Sequence, residues 1–164
     1  MLLENKNAVI YGGGGSVGGA VARAFAREGA KVFLAGRTLA TLDRVADEIT
    51  AAGGVAETAR VDALDEQAVE EHIGRVIEAT GRIDILFNAI GMQDVQDHRE
   101  MLELHAKAKG KSLEEVLADF GRDTLLGRLP SVAEVADVAT LMASDRASAM
   151  TGVIADTTCG SVVD

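Results

Sequence analysis

The sequence predicts an α/β domain in which a parallel sheet is covered by helices. In the first 90 residues, short apolar runs alternate with segments whose apolar residues recur at helical spacing. The apolar runs lack the alternation of half-exposed strands, which is typical of parallel strands buried on both faces. Glycines stand just after the helical segments, where helices commonly end. This strand-helix order indicates a parallel sheet with helices on both faces.

Four strands and three helices are predicted in this first part of the chain. The first helix has its apolar residues on one face, from Val17 to Phe25, and Gly29 follows as its end. The second and third helices are ended by Gly53-Gly54 and by Gly81. The predicted strands are 7–11, 31–35, 55–61 and 83–90, and the predicted helices are 16–28, 38–52 and 66–80.

The second part of the chain is mostly helical by its pattern. A polar, helix-favouring stretch runs over 97–108 and is broken by Gly110. Two capping boxes, in 112–115 and 131–134, predict the starts of a short helix and of a longer one that runs to about Ala143. The remaining strand candidate is 151–158. We therefore expect about five strands in a single domain over residues 1–164.

The composition narrows the classes of function. Hydrophobic residues make up 48% and charged residues 26%, as in globular proteins. The net charge of −10 argues against a nucleic-acid partner, which requires clustered Lys and Arg. No apolar run approaches the ~20 residues of a membrane helix, so we expect no membrane partner. The single cysteine, Cys159, cannot form an internal disulfide, so we expect a cytoplasmic setting.

A glycine-rich loop, "YGGGGSVGG" from Tyr11 to Gly19, joins the first strand to the first helix. In one register Gly13, Gly15 and Gly18 spell G-x-G-x-x-G, and in another Gly12, Ser16 and Gly18 approximate G-x-x-x-G-x-G. Without Cβ atoms the backbone can approach a pyrophosphate, which meets free N–H groups and the positive helix end. A tight turn that only packs helix against sheet is the alternative interpretation.

Two further residues stand where a dinucleotide site needs them. Arg37 follows the second strand, where an acidic residue would bind the ribose of NAD and a guanidinium suits the 2′-phosphate of NADP. Asp62 ends the third strand and could accept a hydrogen bond from an adenine amine. An ordinary surface arginine and a helix N-terminal acid are the alternatives. The predicted cofactor is NADP(H), with NAD(H) as second choice.

Together these motifs resemble the short-chain dehydrogenase/reductase family. The family's first-strand motif T-G-x-x-x-G-x-G appears as residues 11–18, with Tyr11 for Thr and Ser16 for the middle glycine. Its acidic contact matches Asp62, and its N-N-A-G motif matches Asn88 to Gly91, with Ala89 and Ile90 substituted. Residues 125–152 resemble the family's late helix and last strand. The resemblance implies a Rossmann-type sheet of order 3-2-1-4 plus the C-terminal strand, and an oxidoreductase function. It implies these cofactor-binding residues: Gly12, Gly14, Gly15, Ser16, Val17, Gly18, Arg37, Asp62, Ala63, Asn88, Ala89 and Gly91.

The family's central catalytic segment has no counterpart here. In the family a catalytic Ser, a Y-x-x-x-K helix and two strands lie between the N-N-A-G motif and the late segment. Here only 35 residues, 92–126, separate Gly91 from Gly127, and the chain's only tyrosine is Tyr11. The resemblance therefore implies a member that binds its cofactor but has lost, or nearly lost, proton-transfer catalysis, and the catalytic residues are unknown. A working reductase with another proton donor, and a non-catalytic partner of full-length relatives, are the alternatives.

Substitutes for the missing groups are weak candidates. His105 and Lys109 share a helical face, yet a solvated charged helix explains them better. His98 and His105 also share a face with Glu103 nearby, but no metal-ligand motif exists, so no metal is predicted. Tyr11 is expected to pack beside the loop, and Cys159 to be a small apolar residue. Because two sheet-covering helices are missing, we expect apolar sheet to be exposed and the chain to form a homo-oligomer through its C-terminal helix and strand.

Overall fold

The computed structural model describes residues 1–91 and 99–160. Within these ranges the chain alternates strands and helices as far as Asn88 and continues with helices only. A short 3₁₀ helix, Asp145–Ala147, follows the last α-helix. The strands are β1 (Asn7–Tyr11), β2 (Lys31–Gly36), β3 (Val55–Arg60) and β4 (Ile85–Asn88), and the helices are α1 (Ser16–Arg27), α2 (Leu39–Ala51), α3 (Glu66–Thr80), α4 (Arg99–Lys109), α5 (Leu113–Arg122) and α6 (Val132–Ala143).

The four strands form one parallel sheet in the order β3-β2-β1-β4. In the register of this sheet Ala8 of β1 lies opposite Val32 of β2 and Ile85 of β4. The predicted strand order 3-2-1-4 and the covering of both faces by helices are confirmed. The carboxyl ends of all four strands consequently meet at one edge, where ligands bind in sheets of this kind.

Two apolar clusters hold the helices against the sheet. On one face Ile10 of β1 packs with Phe25 of α1 and Leu42 of α2, and Ala136 of α6 joins the same cluster. On the other face Val9 of β1 packs with Val76 of α3, together with Phe33 of β2. Since β1 and β2 are buried on both sides beyond their first residues, Asn7 and Lys31, they continue with apolar residues, as the sequence predicts.

The outer strands differ from this pattern. β3 has exposed residues along its length, and in β4 the side chain of Leu86 is 61% exposed. Each of these strands lies at an edge of the described sheet and has only one neighbour. The expectation that apolar sheet surface would be exposed is therefore met at Leu86.

The helices of the second part form as the capping boxes predict. Ser112 accepts a hydrogen bond from the backbone of Glu115, and Ser131 accepts one from Glu134. In both boxes the glutamate side chain returns a bond to the backbone of the serine. The hydrogen bonds of the two capping boxes explain why each helix starts where it does. In the second box, the ion pair with Arg128 and the bonds from Ser131 also lower the pKa of Glu134 to about 2.

Helices α4 and α5 pack against each other around a small cluster of their own. Leu102 and Ala106 of α4 contact Val116 of α5 in this cluster. The ring of His105 stacks on Phe120, with centroids 6.5 Å apart. The imidazole of His105 is thus part of the packing between these two helices.

The predicted C-terminal strand is wrong. Residues 151–158 form no strand and pair with none of the described strands. A strand needs a neighbour for its backbone groups, and here the chain turns instead. Gly152, Cys159 and Gly160 have positive φ, and Asp156 Oδ1 accepts a hydrogen bond from the Thr158 amide at 2.8 Å. The sheet therefore has four strands within residues 1–91 and 99–160, and among these residues β4 has β1 as its single neighbour.

Among the described residues, no helix is both long enough and apolar enough to cross a bilayer.

Candidate functional site

A crevice of about 620 Å³ opens at the edge where the strands end. Its walls come from the glycine loop after β1 and from the segments that follow β2, β3 and β4. Eight of the twelve predicted site residues line it: Gly12, Gly14, Gly15, Arg37, Asp62, Ala63, Ala89 and Gly91.

The glycine loop is held tightly by its neighbours. Gly12 has φ of +77° and donates its N–H to the Ala35 carbonyl at 2.9 Å. A Cβ atom on Gly12 would stand 3.0 Å from the backbone of Ala89, and one on Gly14 would stand 2.4 Å from Thr41 Oγ1. The loop thus needs glycine at position 12 for conformation and space, and at position 14 for space.

The N-terminus of α1 faces the loop without a capping side chain. Its N-cap residue is Gly15, which has no side chain to accept the first amides. The first intrahelical bond is donated by Gly19 to the Gly15 carbonyl at 2.8 Å, so the amides of Val17 and Gly18 have no helical partner. Such an end carries a partial positive charge and favours anions.

Arg37 stands exposed at the rim of the crevice, just after β2. Among the described residues, no carboxylate lies within ion-pair distance of its guanidinium. A cation that is not neutralised by the protein is available to an anionic ligand.

Two hydroxyl-bearing residues beside Arg37 also line the crevice and were not predicted. Thr38 is the N-cap residue of α2, and Thr41 lies in the first turn of that helix. Thr41 Oγ1 donates to the Thr38 carbonyl at 2.8 Å. Thr38 directly follows Arg37 and Thr41 lies four residues beyond it, in "GRTLAT", and this proximity was the signal in the sequence that could have identified them.

On the other side of the crevice, Asp62 lies in a turn after β3. Its Oδ1 accepts a hydrogen bond from the Leu64 amide at 3.1 Å, which fixes the carboxylate beside the opening. Leu64 itself is 89% exposed and lines the same wall. The arrangement offers one acceptor group next to an apolar surface.

The other four predicted residues are not among those that line the crevice. Val17 is buried in the core, and a Cβ atom on Gly18 would stand 2.2 Å from the Gly12 carbonyl oxygen. Asn88 Oδ1 accepts the Ile90 amide at 2.9 Å, so its side chain shapes the turn after β4. Ser16 is the first residue of α1. Val17 thus packs in the core and Asn88 holds a turn, so each side chain has a role in the fold.

Tyr11 borders the crevice and forms a buried pair with His72 of α3. The Tyr11 hydroxyl lies 3.1 Å from His72 Nδ1. Burial raises the pKa of Tyr11, and burial together with the nearby Arg75 charge lowers the pKa of His72. Both groups are therefore neutral at pH 7, and Tyr11 is a poorer proton donor than a free phenol.

The remaining sequence candidates lie elsewhere. His105, Lys109 and Cys159 are not among the residues that line the crevice. Within 1–91 and 99–160, no three potential metal ligands come together. His98, the other candidate ligand, lies outside the described residues.

Comparisons with known proteins agree with this geometry. The family model described as short chain dehydrogenase matches residues 6–110. An uncharacterised oxidoreductase of Mycobacterium tuberculosis is 43% identical over 89 residues, which are 54% of this chain and 34% of that protein. The matched part thus spans about a third of the curated relative's length.

Solved structures show the same similarity. A metagenomic short-chain oxidoreductase crystallised in complex with NADP is 36% identical, with a TM-score of 0.51, over 52% of this chain and 38% of that one. A hydroxysteroid dehydrogenase from Escherichia coli shares the fold, with a TM-score of 0.67 at 21% identity, and the match covers 92% of this chain and 94% of that chain.

Proposed function

Because the chain belongs to the short-chain dehydrogenase family, we propose that its crevice binds NADP(H) and that its proton-transfer catalysis is lost or weak. The observation that carries the proposal is Arg37 at the rim of a crevice lined by the glycine loop, where no carboxylate of residues 1–91 or 99–160 forms an ion pair with it. We propose the single domain over residues 1–164 as the binding unit, in a cytoplasmic setting.

The residues present fit a 2′-phosphorylated dinucleotide. The glycine loop leaves space where Cβ atoms would intrude, and the amides at the start of α1 would receive the diphosphate. Arg37, with the hydroxyls of Thr38 and Thr41 beside it, would receive the 2′-phosphate. Asp62 would accept a hydrogen bond from the adenine amine. The related metagenomic structure that holds NADP supports the choice of cofactor.

The proposal of lost catalysis rests on the missing proton donor. In the family, the bound cofactor supplies or accepts a hydride while a tyrosine phenol exchanges a proton with the substrate. This chain has no tyrosine, and hence no Y-x-x-x-K, in the 35 residues after Gly91. Tyr11 is buried against His72, and its raised pKa disfavours proton release. Neither residue replaces the missing group.

Titration with NADPH and with NADH tests cofactor binding. The chain has no Trp, so the fluorescence of the reduced cofactor can be followed without interference. We expect NADPH to bind more tightly than NADH, and failure of both to bind at millimolar concentration would refute the proposal. Turnover of carbonyl or enoyl substrates at an ordinary family rate would favour the alternative of a working reductase.

We also propose that the chain self-associates through its C-terminal part. Leu141 of α6, Met150, and Val153 and Ile154 of the segment 151–158 expose apolar side chains. Ile154 is 87% exposed, and exposed apolar side chains of this kind are a feature of contact surfaces. A second copy of the chain would bury them symmetrically.

Sedimentation of Ile154→Lys tests this self-association. We expect the unmodified chain to sediment as a dimer and Ile154→Lys to shift it toward monomer, because a buried unpaired charge is costly. Thr50→Lys adds the same charge on the exposed face of α2 and should leave the dimer intact. A monomeric unmodified chain would contradict the proposal.

A further inference from the structure

We infer that a second cavity, between β3 and α3, binds a small organic carboxylate with an apolar body, such as an aromatic acid. The cavity has a volume of about 180 Å³, and its walls come from β2, β3 and α3. Its lining residues are different from those of the crevice, so it is a separate site. The inference goes beyond the proposed function and does not depend on it.

The imidazole of His72 presents one ring nitrogen to this cavity. His72 is 3% exposed, and its Nδ1 lies 3.1 Å from the Tyr11 hydroxyl. Among the described residues its Nε2 has no hydrogen-bond partner, yet none of their unpartnered polar side-chain atoms is sealed from solvent. Since His72 lines the cavity, Nε2 is reached from there.

The hydrogen bond with Tyr11 decides which nitrogen of His72 carries the proton. Tyr11 is buried, and within the described part of the chain His72 Nδ1 is the partner of its hydroxyl, so the phenol donates and Nδ1 accepts. Burial and the charge of Arg75 lower the pKa of His72, so the ring is neutral at pH 7. A neutral imidazole that accepts at Nδ1 carries its hydrogen on Nε2. The cavity wall thus holds a buried N–H donor that requires an acceptor.

Arg75 adds a positive charge beside this donor. It lines the same cavity three residues beyond His72, and its Nε donates to the Glu71 carbonyl at 3.3 Å. Among the residues that the structure describes, no carboxylate lies within ion-pair distance of its guanidinium. Glu57, the acidic residue of the lining, is paired with Lys31 at 2.6 Å. A carboxylate has two acceptor oxygens and can satisfy the imidazole N–H and the guanidinium together.

The rest of the lining is mostly apolar and selects the body of the ligand. Phe33 and Val76 are 3% and 4% exposed, and Ala59 and Ala79 contribute methyl groups. The hydroxyl of Thr58 is engaged by a carboxylate of α2. An apolar cavity of about 150 Å³ accommodates a benzene ring, so 180 Å³ accommodates a ring with its carboxylate. An inorganic anion would leave these apolar side chains uncovered, whereas an aromatic acid of the size of benzoate covers them.

Titration with benzoate, followed by the NMR signals of the histidine rings, tests the inference. We expect the His72 signals to shift saturably, with a dissociation constant on the order of 1 mM or tighter. The ring of His105, which stacks on Phe120 in another part of the fold, should not shift. Acetate lacks the ring and benzamide lacks the charge, so each should bind about tenfold more weakly than benzoate. Acetate or benzamide binding as tightly as benzoate, or no saturable shift at His72, would overturn the inference.

Three variants sharpen this test. Arg75→Gln removes the charge and should weaken benzoate about tenfold while leaving benzamide nearly unchanged. Arg44→Gln changes the net charge equally on α2, away from the cavity, and should affect neither. Ala79→Leu fills the cavity and should abolish binding of both, while the melting temperature is kept because Ala79 is exposed. Equal losses in Arg75→Gln and Arg44→Gln, or undiminished benzoate binding in Ala79→Leu, would contradict the inference.

Discussion

Replacing Arg37 by alanine is expected to lower the affinity for NADPH about tenfold or more and to leave the weaker affinity for NADH nearly unchanged. Hydrogen bonds to charged groups contribute about 1.5–3 kcal/mol, and Arg37 is exposed, so the lower end of that range applies. A loss of about 1.4 kcal/mol corresponds to tenfold in the dissociation constant. Cofactor fluorescence titrations of the variant and the unmodified chain measure both affinities.

Arg44→Ala is the matched control for this prediction. Arg44 is also exposed, lies on α2 and does not line the crevice, so its removal changes the net charge equally without touching the site. Equal losses in Arg37→Ala and Arg44→Ala would show a general charge effect. A loss of NADH affinity as large as that of NADPH would assign Arg37 to a part of the cofactor other than the 2′-phosphate.

The inner part of the fold could be predicted because local and global signals agree there. Buried apolar runs specify β1 and β2, and glycines mark the helix ends, as at Gly81, which has φ of +80° at the C-cap of α3. The capping boxes at Ser112 and Ser131 fixed the starts of α5 and α6. Each of these features acts over a few residues, so the sequence alone reveals it.

The last strand could not be predicted correctly because a strand depends on a neighbour. The pattern "TGVIADTT" favours an extended strand, but the described part of the chain brings no partner to it. The positive φ at Gly152 and the turn around Asp156 then decide the local conformation. Strand pairing is a tertiary property that a local pattern does not contain.

In the candidate site too, positions fixed by the fold could be predicted, whereas contacts between distant segments could not. The sequence could predict that Arg37 and Asp62 lie at the crevice, because their place after a strand is fixed by topology. It could not show that Thr41 packs against Gly14, since this contact depends on how two separate segments meet. Residue type and position thus predict where a site lies, while the contacts decide what each side chain does there.

Substitution of Gly18 by alanine is expected to lower the free energy of unfolding by about 3 kcal/mol, the upper part of the range for overpacked cores. The new Cβ would stand 2.2 Å from the Gly12 carbonyl oxygen and 2.8 Å from the carbonyl carbon, which are backbone atoms and cannot change rotamer. For a chain of this size the loss corresponds to a fall in melting temperature of about 6 to 12 °C. Thermal and urea unfolding measure it.

Gly74→Ala provides the matched control. Gly74 lies within α3, is exposed, and has no atom within 4 Å of a built Cβ. Alanine there should stabilise the chain by about 0.5–1 kcal/mol, because glycine is the poorer helix former. The two substitutions add the same methyl group to a helix, so opposite signs isolate the contact between α1 and the loop.

The Gly18 variant also separates two explanations of the glycine loop. If Gly18 serves packing, as its place outside the crevice lining indicates, Gly18→Ala should lose stability, and NADPH affinity should fall because Gly12 is displaced. If the variant kept its melting temperature but lost NADPH binding, Gly18 would serve the ligand directly and the packing argument would be wrong. In the sequence, the position of Gly18 in the loop motif fits both a ligand-binding and a packing role. The distance of 2.2 Å between a Cβ built on Gly18 and the Gly12 carbonyl oxygen is what favours packing.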